Sequence, residues 1–142
     1  MVGFFKILIT FLLITSYTYI NAKQQTVRVV GRLICGDKPL VNEKVKLWND
    51  NTLGTDDQLA SVKTNSSGYY DIQGGIGSIF TMDVKLKFYT DCEDGIKPCQ
   101  RKIVLGVPDK YISKSDAEVK TFDGGVMNLA FKFPDESRDC LN

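Results

Sequence analysis

Residues Met82 to Tyr89, MDVKLKFY, alternate with a period of two: Met82, Val84, Leu86 and Phe88 on one parity, and Asp83, Lys85, Lys87 and Tyr89 on the other. Successive side chains of an extended strand point to opposite faces, so this run reads as a strand with one buried and one wet face. A strand has unpaired amides on both edges and an apolar face with nothing to cover it. The remainder of the chain must therefore supply further strands and a second layer.

The stretch from Leu59 to Gly74 reads as a β-hairpin bent about Asn65-Ser66-Ser67-Gly68. Val62 and Thr64 precede the turn and Tyr69, Tyr70 and Ile72 follow it, a composition that suits a pleated, half-buried surface. Thr26 to Cys35 is the first strand, with Gly31 marking a bulge or a close backbone approach. Gly36-Asp37-Lys38-Pro39 turns the chain. Glu43 to Asn49 alternates so that Val45 and Leu47 face inward. Arg101 to Val107 forms a hairpin with the strand of Met82 to Tyr89. Val119 to Phe122 and Val126 to Phe133 are expected to pair about the turn Asp123-Gly124-Gly125. That totals about eight strands with no convincing helix beyond the first residues, and predicts an all-β, two-sheet antiparallel sandwich.

The N-terminus is a separate object. Lys6 precedes the apolar run Ile7 to Ile14, and Ile20-Asn21-Ala22 closes it with a small residue, the pattern of a secretory leader spanning 1–22. The run is shorter than the roughly 20 apolar residues of a spanning helix, so an integral membrane protein is not expected. Beyond it, residues 23–142 make one domain carrying 17 basic and 17 acidic side chains. That balance argues against a nucleic-acid partner.

Cys35, Cys92, Cys99 and Cys140 all lie in this domain, and an even count in an exported chain reads as two disulfides with three pairings open. Their spacing holds no CxxC knuckle and the sequence has no histidine, which argues against a zinc site. No other metal or cofactor is expected. Asp50 to Asp57 only loosely resembles a calcium loop, since Leu53 stands where a ligand belongs and no bidentate Glu follows. Gly74-Gly75-Ile76-Gly77-Ser78 reads as a flexible connection, without the Gly-Lys-Ser/Thr of a phosphate loop. Trp48 reads as a ring covering a sheet edge or a neighbouring loop rather than an exposed recognition aromatic.

The blocks GRLICGDKPLVNEKVKLW, DDQLASVKTNSSGYYDIQG, VKLKFYTDC, CQRKIVLGVPDKYI, FDGGVMNLAF and RDC, with four cysteines in that order, resemble the nematode transthyretin-like family. The resemblance covers nearly all of residues 23–142. It implies a secreted transthyretin-type sandwich, similar in fold to vertebrate transthyretin and to the 5-hydroxyisourate hydrolases. It also implies extracellular recognition, one described role being a bridge between exposed phosphatidylserine and a phagocyte receptor. The hydrolases rely on histidines, an arginine and a Tyr-Arg-Gly-Ser, whereas this sequence has neither a histidine nor that tetrapeptide. A Ser-His-Asp nucleophile is likewise excluded.

The functional expectation is a secreted, non-catalytic binding or bridging module whose partner is an extracellular receptor or a lipid such as phosphatidylserine. The alternative is an extracellular carrier of a small apolar ligand. Oligomeric state is left open, a monomer being the simpler expectation. Contacts are expected from the loops Asp50 to Asp57, Gly74 to Ile79, Glu93 to Pro98 and Asp109 to Glu118. Cys92 and Cys99 flank the short loop of Glu93, Asp94, Gly95, Ile96, Lys97 and Pro98 and are expected to pair, which would pre-organise it as the binding loop and leave Cys35 for Cys140. Asn65-Ser66-Ser67 is an N-glycosylation sequon, so Asn65 is a candidate acceptor.

Overall fold

The computed structural model describes residues 22–115 and 117–142. The leader expected at 1–22 therefore lies almost wholly outside the described residues. Among these residues the strands are β1 (Lys23–Cys35), β2 (Lys38–Pro39), β3 (Lys44–Asn49), β4 (Asp57–Lys63), β5 (Tyr69–Ser78), β6 (Val84–Thr90), β7 (Gln100–Gly106), β8 (Ser113–Lys114), β9 (Thr121–Asn128) and β10 (Ser137–Asp139), with a 3-10 turn at Asp109–Tyr111. They form two sheets. In the first, β1 is central, with β5 and β2 along one edge and β8 and β9 along the other. The second runs β10-β7-β6-β3-β4.

The alternation read from Met82 to Tyr89 holds as far as Phe88: Met82, Val84, Leu86 and Phe88 are buried, and they meet Val45 and Leu47 of β3 and Val27, Val29, Leu33 and Ile72 of the opposite sheet, but Tyr89, expected on the wet face, is buried as well. Full burial of a side chain of this size contributes about 1.5–3 kcal/mol, so this layer is the main source of stability. Gly31 behaves as expected. The β1–β9 pairing shifts register between Val30 and Arg32, and the ring end of Tyr70 lies where a Cβ on Gly31 would stand.

Three sequence expectations are corrected. The stretch from Leu59 to Gly74 is not a hairpin: β4 pairs with β3, whereas β5 pairs with β1 in the other sheet. The turn is real, with Gly68 N–H donating to the Asn65 carbonyl. Turn chemistry reverses the chain without choosing partners, and β5 finds an in-register edge on β1 from Lys23 to Arg32. Gly74 to Ser78 is not a loose connection but the second half of β5. Its glycines admit close backbone approach, because a Cβ on Gly75 would collide with the Gln25 carbonyl and one on Gly74 with that of Leu59. Finally, Val119 to Phe133 is not a hairpin. Gly124-Gly125 is a bulge within β9, which runs parallel to β1, and the chain turns only after Leu129 to reach β10.

The disulfides also differ from expectation: they join Cys35 to Cys92 and Cys99 to Cys140. Cys35 continues the inward parity of Val27, Val29 and Leu33, and Cys92 that of Val84, Leu86, Phe88 and Thr90. The two meet across the core with Cα atoms 5.9 Å apart. Cys99 and Cys140 stand one step beyond the Gln100–Asp139 rung of the β7–β10 ladder, with Cα atoms 4.4 Å apart.

Candidate functional site

The β6–β7 connection runs from Cys92 to Cys99. Its rigidity has another source than a bond across its own ends. Cys92 is tied to the first sheet and Cys99 to the C-terminal segment. Asp94 is buried beneath the loop and accepts two hydrogen bonds from Arg138, at 2.8 and 2.7 Å. The same guanidinium donates to the carbonyls of Pro98 and Cys99. Glu93 and Gly95 turn the chain with φ of 51° and 59°. What remains on the outside is Glu93, Gly95, Ile96, Lys97 and Pro98, with the Ile96 side chain fully exposed.

Below the loop lies another arginine, and this one is buried. Arg101 of β7 donates to Glu136 at 2.9 and 2.7 Å and to the carbonyls of Cys92, Leu129 and Phe131. Every donor is answered, which is the condition for burying a guanidinium at tolerable cost. A cleft of about 270 Å³ opens between the loop and the 130–138 segment, lined by Glu93, Asp94, Lys97, Arg101, Lys132 and Glu136 among others. Hydrogen bonding to Arg138 holds the Asp94 carboxyl below its ordinary range, and Arg101 does the same for Glu136. Both acids are thus committed to structure. Neither Arg138 nor Arg101 was singled out by the sequence, because only β10 brings Glu136 and Arg138 against β7.

Glu43 lies at the same end, beside Asp91. Burial first and Asp91 second push its carboxyl up to about 7, against a hydrogen bond with Thr90 that lowers it. A carboxyl titrating near neutrality is the usual requirement for general acid-base work. It has no histidine to work with, the sequence containing none. Among the described residues there is no group of three or more His, Cys, Asp or Glu that could hold a metal ion. In the Asp50 to Asp57 loop two of the three acids are occupied by amides: Asn51 N–H donates to Asp56 at 2.9 Å and its Nδ2 to Asp57 at 2.9 Å, while Asp50 Oδ1 is buried without a partner among the described residues. No helix among the described residues is long and apolar enough to cross a membrane.

Asn65 is exposed at its turn, and its side-chain oxygen accepts from the Ser67 and Tyr69 amides at 3.0 and 2.9 Å. Trp48 is partly buried on the outer face of the second sheet, with Lys87 Nζ 4.6 Å from its ring centroid. That face carries a row of lysines which the loop-centred reading passed over, although the alternation in KVKLWN and VKLKFYT is its signal.

The model of the transthyretin-like family matches residues 30–108. Transthyretin-like protein 5 of Caenorhabditis elegans is 43% identical over 138 residues, covering 96% of this chain and 99% of the relative. Transthyretin-like protein 33 of the same organism is 43% identical over 119 residues, 83% of each chain. Transthyretin-like protein 2 is 40% identical over 126 residues, 84% of this chain and 85% of the relative. A solved 9R-lipoxygenase from Cyanothece overlays 75% of this chain on 17% of its own at 23% identity and a TM-score of 0.45, a likeness too slight to carry an argument.

Proposed function

We propose, from the premise that the chain belongs to the transthyretin-like family, that it is a secreted, non-catalytic module that binds or bridges partners at the cell surface or in extracellular fluid. On this reading residues 1–22 are a leader removed on export and 23–142 are the mature domain. Two disulfides fit an oxidising compartment. The observation that carries the reading is the Cys92 to Cys99 loop. An apolar side chain, Ile96, is held out in solvent by a backbone that disulfides and the Asp94–Arg138 pair have already ordered. Prior ordering lowers the entropic cost of docking, which is what a recognition loop needs.

The partner is a receptor or a lipid head group, phosphatidylserine being the first lipid to test. The carrier alternative has less support, because the space between the sheets is filled by Phe88, Leu33, Leu47, Leu86 and their neighbours. Absence of catalysis fits a chain without histidine in which Asp94 and Glu136 are tied to arginines. Glycosylation at Asn65 is part of the same proposal, and glycosidase treatment of the secreted protein tests it by mass.

The deciding experiment replaces the exposed Glu93, Ile96 and Lys97 by Ala and leaves Asp94, Gly95, Pro98 and the cysteines in place. Secreted wild type and variant are compared on phosphatidylserine vesicles and on intact cells. Binding by the wild type that falls at least tenfold in a variant of unchanged thermal stability supports the loop. Equal binding makes the loop a structural tip. Saturable hydrolysis of a ureide or ester by the wild type would remove the non-catalytic reading.

A further inference from the structure

The outer face of the second sheet is cationic by register. Outward positions on four adjacent strands are Lys44 and Lys46 of β3, Lys63 of β4, Lys85 and Lys87 of β6, and Lys102 of β7. The ladder places Lys44 opposite Lys63 and Lys46 opposite Lys87. Like charges directly opposite one another across a sheet cost stability. A chain whose basic and acidic side chains balance as a whole (17 of each in residues 23–142) concentrates that cost on one face.

Only part of this charge is answered within the protein. Lys85 pairs with Asp83 at 2.9 Å and Lys102 approaches Asp139 at 3.8 Å. Lys44 Nζ donates to the main-chain and side-chain oxygens of Asn142. Lys46, Lys63 and Lys87 make no ion pair among the described residues. Aromatic rings hold two of them in place instead: Lys87 lies 4.6 Å from the centroid of Trp48 and Lys46 lies 5.4 Å from that of Tyr89. A cleft of about 590 Å³ runs over Lys46, Trp48, Lys87 and Lys102, past Asp56 and Asp139, to the C-terminal residues. The Trp48 indole N–H is buried there without a partner among the described residues.

We infer that this face is a binding site for a linear, sulfated or otherwise polyanionic polysaccharide, engaged by Lys46, Lys63 and Lys87 with Lys102 and Lys44 at the margin. The inference rests on the extracellular reading above, since it takes an anionic polymer found outside cells as the ligand. The geometry favours a polysaccharide over other polyanions. A nucleic acid strand would use bare rings for base stacking, but Lys87 covers Trp48 and Tyr89 is buried. A membrane would need apolar side chains to enter it, whereas the apolar residue among the lysines is the half-exposed Val104, and Leu141 stands at the rim. Preset lysines on adjacent strands answer the repeated charges of an extended polymer.

The test uses the full secreted protein on immobilised heparin as the probe. Wild type is expected to be retained at ~150 mM salt, where a lone exposed pair would be screened. The double variant Lys46→Gln/Lys87→Gln is expected to bind at least tenfold more weakly, with the slope of log affinity against log salt reduced by about one per lysine removed. A control, Arg32→Gln/Lys38→Gln on the first sheet, should elute with wild type. Flow-through of the wild type, or co-elution of the β3/β6 variant with it, overturns the site. Stronger retention on phosphatidylserine vesicles or a single-stranded oligonucleotide than on heparin overturns the polysaccharide assignment. The loop variant of Glu93, Ile96 and Lys97 separates the two readings: if it loses cell binding while wild type ignores heparin, this inference alone falls. A chain that binds heparin but is never exported overturns the extracellular reading and, with it, the polysaccharide as ligand.

Discussion

Arg101 and Lys87 are cations on adjacent strands of one sheet, and the protein treats them in opposite ways. Arg101 points inward, buried, and every donor it carries meets Glu136 or a carbonyl. Lys87 points outward, opposite Lys46, with an aromatic ring for its only described partner. Burial explains the difference. A charge taken out of water must be paired or it destabilises the fold by several kcal/mol, while a charge left in water can stay unpaired at a cost of tenths. The buried Arg101 is thus spent on structure, and Lys87 remains available to a partner.

The contrast can be broken at its strongest point first. Cys35 and Cys92 staple the sheets beside the buried network, and the loop-entropy relation gives about 4 kcal/mol for a closed loop of that length. The separation of 41 residues between Cys99 and Cys140 gives nearly the same value. Replacing either pair by Ser should cost about that much in urea denaturation, and a non-reducing peptide map should link Cys35 to Cys92. A map linking Cys92 to Cys99 would restore the loop-closing pairing and remove the cross-sheet staple.

Next in size, Glu136→Gln leaves the Arg101 guanidinium buried without its countercharge and should destabilise by about 3 kcal/mol. A loss under 1 kcal/mol in the same denaturation experiment would mean that the carbonyls alone suffice. Asp94 and Glu136 both have carboxyls lowered by their arginines. Their stabilisation is present above the ordinary carboxylate range and is lost as pH falls through the lowered values.

Glu43 works in the opposite sense. Its carboxyl is raised from 4.5 to about 7, so the folded state binds the proton more tightly than the unfolded chain. Stability from this group is full below pH 4.5 and declines as pH rises toward 7. Glu43→Gln should flatten that limb and raise stability at pH 8 by about 1 kcal/mol, a figure discounted for its partial exposure. Thermal melts from pH 4 to 8 check it; parallel curves for the two proteins would show that Glu43 titrates normally. The smallest effect sharpens the other side of the comparison. Lys46→Gln/Lys87→Gln relieves a like-charge pair and should leave stability unchanged or raise it by a few tenths of a kcal/mol. A loss above 1 kcal/mol would mean that the lysine face is structural.

What the sequence revealed differs between these two regions. Alternation in Met82 to Phe88 and in Lys44 to Asn49 told which side chains face inward, and the outward lysines could be read from the same pattern. Parity also held an unread clue to the cross-sheet bond, since Cys35 and Cys92 both stand on buried parities. The Asp94–Arg138 and Arg101–Glu136 pairs span 44 and 35 residues, and no local pattern connects them.

By itself the sequence determined the all-β class, the inward and outward faces of the longer strands, the turns at Gly36 and Gly68 and the family. These follow from a period of two, from turn chemistry and from composition, all of which act over a few residues. Only the tertiary structure decided strand partners: β5 on β1 rather than β4, β9 parallel to β1, and β10 against β7. Pairing is a competition among edges distant in sequence, settled by which register closes the ladder and buries the core. The disulfides, the arginine–carboxylate pairs and the lysine face are products of that choice, because each is made of residues that meet only once the strands have found their places.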